Sequence, residues 1–454
     1  MKGILVSLWA ICGKGRRPAA LAGLLLIFGA GSAVAQSTPI DAVLAQRYFE
    51  ETRQFSAADH GRLWGVELCG PMIFVDAESR AVAANQADAD GRLAREGALY
   101  AGKLPPREGA ANRAIEWAGV RWTMILWPLP EYRRDREALM MHECFHRVQD
   151  SLGLTMRDAI NSQLDTRDGR IWLQLEWRAL ERALEETGQA RRTALADALL
   201  FRGYRRSLFP GAAEKENALE MNEGLAEYTG QKLANPSPGV LRVSATILLR
   251  RGHFRPTFVR SFAYVSGPAY GTLLDEAPQG GMAWRKGLKP DSDFGMLAAR
   301  AYGIPQTKPS EAEALARGRA YDGDEIIAIE TEREASHKAV LAAARARFVD
   351  GPVLVLPAWK DVNYSFDPNG VAAIDENRSV YTPMRVSDAW GVLDCAKGAL
   401  LVRENGNIVR VQVPAPVDPA ARPVVLDGCT LDLQPGWGIV PGSRRGDAIL
   451  KLKP

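Results

Sequence analysis

The run Met141-His142-Glu143-Cys144-Phe145-His146 limits this chain's fold more than any other stretch, because it sits inside a segment, about Glu131 to Asp150, that reads as one continuous helix. At i and i+4 the two imidazoles share one helical face, one turn apart. That is the spacing a single tetrahedral Zn²⁺ needs for two nitrogen ligands about 2.0–2.1 Å away. Glu143 follows the first histidine directly. Its carboxylate can therefore reach a water beside the metal without binding the metal, the position of a general base. Only five histidines occur in 454 residues, yet a lone H-E-x-x-H also arises by chance. The motif asks for a third ligand elsewhere.

The first residues read as a targeting segment. Lys2, Lys14, Arg16 and Arg17 form a positive region, Leu21 to Ala30 an apolar run, and Ala33-Val34-Ala35 a small-x-small cleavage signal. Residues 1–35 are expected to leave as a signal peptide, cut between Ala35 and Gln36, so that the mature chain is secreted or periplasmic. The apolar run is shorter than the ~20 residues a membrane span requires, and no later run is long enough, so no stable span is expected after cleavage. Losing residues 1–35 removes four cations and no carboxylate, which takes the formal charge from +3 to −1. A nucleic-acid partner thereby loses its main electrostatic argument. Of five cysteines, Cys12 leaves with the leader, and the remaining four allow three pairings. Their shared strand-rich region favours Cys395 with Cys429, while Cys69 and Cys144 either pair or stay as buried thiols.

About 419 mature residues exceed one ordinary core. Residues 40–55 read as a short helix. Leu63 to Asp76 and Ala81 to Asn85 read as paired strands, and Val120 to Trp127 as another that leads straight into the H-E-x-x-H helix. Such a strand can form a sheet edge along a cleft, where an extended peptide adds main-chain hydrogen bonds. Asp168 to Thr187 reads as a core helix, with Leu173, Trp177, Leu180 and Leu184 at i, i+4, i+7 and i+11. Residues 190–206 continue as helix, and another begins near Glu214.

In that last helix Glu216, Glu220, Glu223 and Glu227 fall at offsets 0, 4, 7 and 11, lining one face with carboxylate. A solvated charged face is the ordinary source of such a row. Met221, Leu225, Ala226 and Tyr228 leave little of the helix plainly hydrophilic, however. A partly buried acidic row needs a counter-charge, which a cation held by two neutral histidines supplies.

His142-Glu143-x-x-His146 with Asn222-Glu223-Gly224-x-Ala226 resembles the gluzincin metallopeptidases, especially their aminopeptidase-N-like and glycyl-aminopeptidase-like branches. The resemblance implies His142, His146 and Glu223 as zinc ligands and Glu143 as general base. Glu227, one turn further, is then placed to orient a ligand histidine through its second nitrogen. Ser261 to Ala269 looks like the family's Tyr-x-x-Gly segment, which carries the role of oxyanion donor over to Tyr264; Tyr270 and His253 are weaker candidates for it. Two departures stand out. Between His146 and Glu223 lie 76 residues, longer than the family's usual gap, and no G-x-M-E-N element that would hold a free N-terminus is present. The expectation is therefore an endopeptidase or a substrate-restricted hydrolase acting on peptide or protein, not an aminopeptidase. Arg250, Arg251, His253, Arg255 and Arg260 form a basic cluster that is either a solvated, ion-paired face or a receptor for an acidic substrate.

The fold expected is α+β. A zincin-like catalytic unit would combine a β-rich part over 36–130 with a helical zinc-binding part over 131–308, followed by a helical connector over 309–350 and a C-terminal β-sandwich or barrel over 351–454. The hairpin Leu400 to Val411, with Asn405-Gly406 at its turn, anchors that last expectation. A catalytically silent, zinc-stabilised envelope protein that interacts through its β region, and a zinc hydrolase of non-peptide amides, fit the same motifs. Nothing in the sequence fixes an oligomeric state.

Overall fold

A mixed sheet, a helical lobe and a pair of packed sheets follow one another along the chain. The computed structural model describes residues 40–453 except 106–107, 158, 160, 236, 279–280, 307, 359–361, 367–369, 376 and 405–406. The leader expected over 1–35 and the Asn405-Gly406 turn lie outside the described residues.

Helix α1 (Ala42–Asp59) starts where Asp41 accepts from the Leu44 N–H, and ends at His60 in the left-handed region. Six strands follow: β1 (Met72–Asp76), β2 (Ala81–Ala84), β3 (Ala94–Glu96), β4 (Leu99–Lys103), β5 (Arg113–Trp117) and β6 (Val120–Trp127). They form one mixed sheet in the order β3-β4-β2-β1-β6-β5, in which only β1 and β6 run parallel, Met72 opposite Thr123 through Asp76 opposite Trp127. Two expectations change here. Leu63 to Pro71 is not strand; Gly65 turns with φ of 77°, and Leu63 and Leu68 are buried in two different clusters. Nor is β6 an edge, since β1 and β5 flank it. The two-residue turn Ala118-Gly119, both with positive φ, folds β5 back onto β6 and covers that side.

The helical lobe holds α2 (Arg133–Val148), α3 (Arg167–Glu185), α4 (Gly188–Leu208), α5 (Ala212–Leu219), α6 (Leu225–Ala234), α7 (Pro238–Gly252), α8 (Ser261–Asp275), α9 (Phe294–Tyr302), α10 (Glu311–Gly318) and α11 (Gly323–Arg345). Leu173, Trp177, Leu180 and Leu184 of α3 are all buried in its core, as their spacing predicts. Between α5 and α6, Glu220–Gly224 forms one π-helical turn.

Past α11 the chain builds a seven-stranded and a five-stranded sheet. Leu354, Leu356 and Val411 of the first and Val386, Leu393 and Leu431 of the second share one buried cluster, the packing of a β-sandwich. Cys395 and Cys429 lie directly opposite on neighbouring strands and form a disulfide. Cys69 and Cys144 are unpaired thiols. No described helix is long and apolar enough to cross a membrane.

Candidate metal centre

The i, i+4 spacing in α2 brings Nε2 of His142 within 3.1 Å of Nε2 of His146. Glu223 comes to the same point from the π-helical turn, its Oε2 lying 3.5 Å from Nε2 of His142 and 3.4 Å from Nε2 of His146. Donors around a tetrahedral zinc with bonds of about 2.0–2.1 Å stand about 3.3–3.4 Å apart along each edge. The three atoms thus match one face of such a tetrahedron. All three residues are buried, and together they can hold a metal ion.

Backbone contact sets this geometry. A Cβ on Gly230 of α6 would lie 2.3 Å from the Ala138 carbonyl oxygen of α2, and one on Gly267 of α8 would lie 2.3 Å from that of Gly224. Glycine at both positions lets α6 close on α2, and α8 on the π-helical turn. A single π turn within a helix often marks a functional site. Here it divides the acidic row. Glu216 and Glu220, before and at its start, face the arginines of α4: Glu216 accepts from Arg205 and Arg206, and Glu220 from Arg202. Arg202 and Arg205 also hold Glu176 of α3. The guanidinium groups of α4 therefore supply the counter-charge of Glu216 and Glu220, and only Glu223 and Glu227 turn to the histidines.

Each imidazole is fixed from behind. Nδ1 of His142 is 3.0 Å from Oε2 of Glu227, and Nδ1 of His146 is 2.9 Å from Oε1 of Gln149. With Nδ1 donating, Nε2 is the nitrogen left for a metal. Gln149 escaped the sequence reading, although it lies three residues past His146 on the same helical face.

The electrostatics follow from burial and charge. Burial opposes a charge on His142, but the carboxylates of Glu223 and Glu227 outweigh it and lift its pKa to about 10. Burial works upward on Glu223, yet hydrogen bonds from His142 and His146 hold it well below the usual carboxylate range. A metal ion would take the place of the proton that these groups hold. Burial raises the pKa of Glu143, with His142 and His146 pulling the other way, and its Oε2 is buried without a hydrogen-bond partner.

The ring of Tyr264 lies parallel to that of His142, with centroids 5.6 Å apart. Burial first, then the Glu223 charge, pushes this phenol well above its ordinary pKa. Tyr270 donates instead to Glu176, and His253 pairs with Gln174 edge-on to Trp177, so neither reaches the histidine pair. The basic cluster also divides: Arg250 pairs with Glu181 and Glu185, while Nη2 of Arg260 is 3.1 Å from Oε1 of Glu223.

Compared with known proteins, the chain matches no family model, no curated protein and no solved structure. The likeness to gluzincins rests on the short motifs and on the buried donor group they build.

Proposed function

We propose that the chain is an exported zinc-dependent metallopeptidase of gluzincin type, with His142, His146 and Glu223 as ligands of Zn²⁺. The observation that carries this reading is the triangle of three buried donor atoms at tetrahedral spacing, with the unpartnered carboxyl oxygen of Glu143 on the residue after His142. Zinc bound there would supply Lewis acidity, polarising a substrate carbonyl and acidifying water towards neutrality. Glu143 takes the proton of the attacking water, a task its raised pKa suits. Tyr264 stays protonated and keeps its O–H to donate to the oxyanion of the tetrahedral intermediate. Glu227 and Gln149 hold the imidazoles in place. Export is supported by the leader pattern together with the Cys395–Cys429 disulfide. The absence of a G-x-M-E-N element favours internal peptide bonds over a free N-terminus.

Glu143→Gln tests the role of the base: it should keep the metal and abolish cleavage of a mixed peptide library that the parent cuts. Undiminished cleavage would refute the assignment. The burial of all four site residues favours a second reading, a silent metal-stabilised protein. Chelation separates the two, because the enzyme loses turnover and the silent protein only stability. A library left intact alongside hydrolysis of simple amides would instead point to a non-peptide substrate.

A further inference from the structure

Away from the metal centre, a cavity of about 830 Å³ opens between the loop after α1, the segment after α2 and the turn after α8. That volume lies within the range of small-molecule sites, about 300–1,000 Å³. Three cations line it, Arg62, Arg285 and Lys286, and no carboxylate does. Arg285 is buried, bonded to Leu63 O and the Tyr228 hydroxyl at 3.1 and 2.7 Å and ion-paired with Asp275 at 2.8 Å, so the positive charge the wall offers is that of Arg62 and Lys286. Arg62 donates to the backbone oxygens of Ala58 and Asp59, which fixes its head at the end of α1 without neutralising it. Lys286 is exposed and has no ion pair among the described residues.

The rest of the wall is apolar, with Trp64, Leu152 and Leu288 prominent. Arg62 and Leu63 are shared with a neighbouring cavity of about 300 Å³, lined by Phe55 and Leu233 but also by Asp59 and Lys232. Cations set in low-dielectric walls focus a positive potential into the space between them. A bare anion would satisfy that charge and leave the apolar walls wet. A neutral hydrocarbon would do the reverse.

We propose that this cavity binds an amphiphilic anion, a phosphate or carboxylate head between Arg62 and Lys286 on an apolar body that lies against Trp64, Leu152 and Leu288. None of the residues lining the cavity belongs to the metal centre. Calorimetric titration of the full mature chain with inorganic phosphate, dodecyl phosphate and neutral dodecyl maltoside, the last two below micelle formation, tests it. Dodecyl phosphate should bind with a Kd below about 1 mM, and both other probes at least roughly tenfold more weakly. Lys286→Glu, at an exposed and unpaired position, should weaken dodecyl phosphate by roughly tenfold or more, and Arg62→Gln should weaken it also. Equal binding of inorganic phosphate would remove the apolar body from the proposal, and equal binding of dodecyl maltoside would remove the charge. No binding of dodecyl phosphate, or full affinity in Lys286→Glu, overturns the site altogether.

Discussion

Oε2 of Glu227 lies 3.0 Å from Nδ1 of His142, whereas the matching contact behind His146 comes from the neutral amide of Gln149, at 2.9 Å. A carboxylate raises the basicity of the imidazole it faces; an amide only orients it. Glu227→Gln should therefore lower metal affinity by about 10–100-fold, and Gln149→Leu by less, since a ring that loses only its orienting contact keeps its charge environment. Competition with a fluorescent zinc chelator measures both. Equal losses in the two variants would show that charge is not what distinguishes the contacts.

Close approach at Gly267 supports a second prediction. Gly267→Ala puts a methyl 2.3 Å from the Gly224 carbonyl oxygen, backbone that cannot swing aside. The variant should lose about 1–3 kcal/mol of stability and bind metal more weakly, because α8 and the π-helical turn must part. Gly239→Ala, where nothing lies within 4 Å, is the control and should be neutral or slightly stabilising. Denaturant melts and zinc titration of both proteins provide the check; an unaltered Gly267→Ala protein would mean that the two elements are not held as tightly as their contact implies.

The arginine cluster of α4 carries a pH prediction. Burial alone would raise the pKa of Glu216, but Arg205 and Arg206 overcome it and bring it down to about 2, from 4.5. A carboxylate whose pKa is depressed by folding stabilises the fold above its unfolded pKa, and that contribution is lost as pH falls through the folded one. The contribution should accordingly be complete above pH 4.5 and fade towards about pH 2. Glu216→Gln should cost about 1.5–3 kcal/mol at neutral pH, because Arg205 is then left with Glu176 and Arg206 with Asp293, and should flatten the acid limb of the stability curve. Urea unfolding at pH 7 and pH 3 compares the two; parallel acid limbs in parent and variant would contradict the assignment.

Metal removal is the fourth. An ion bridging α2 and the π-helical turn stabilises only the folded state, by about 4 kcal/mol when free metal exceeds Kd a thousandfold. Chelation should lower the calorimetric unfolding temperature, and zinc should restore it. A melting temperature indifferent to both would leave the donor triangle without an ion to bind.

Much of this arrangement is legible in the chain before folding is considered. The H-E-x-x-H spacing and the strand before it are local patterns, and they appear where periodicity puts them. The 3.4-Å approach of Glu223 to His146 across 76 intervening residues is legible only through the family likeness, because no local rule connects α2 to the π-helical turn. Two features stayed hidden for physical reasons. The row from Glu216 to Glu227 reads as one face only on a uniform 3.6-residue turn, and nothing in its composition announces a π turn. The flanking of β6 depends on which strand pairs with which, a long-range choice that hydrophobic alternation does not make.

The wide turn at Glu220–Gly224 makes the centre intolerant of changes in length. Excising one residue there would replace the wide turn by a regular one, in which four residues at about 100° each turn roughly as far as the five do now, so that the helices on either side would keep their facing and only the turn's own residues, Glu223 among them, would be displaced. A deletion of that kind, harmless in a surface loop, would here unseat a ligand and leave Glu227, its support, in place.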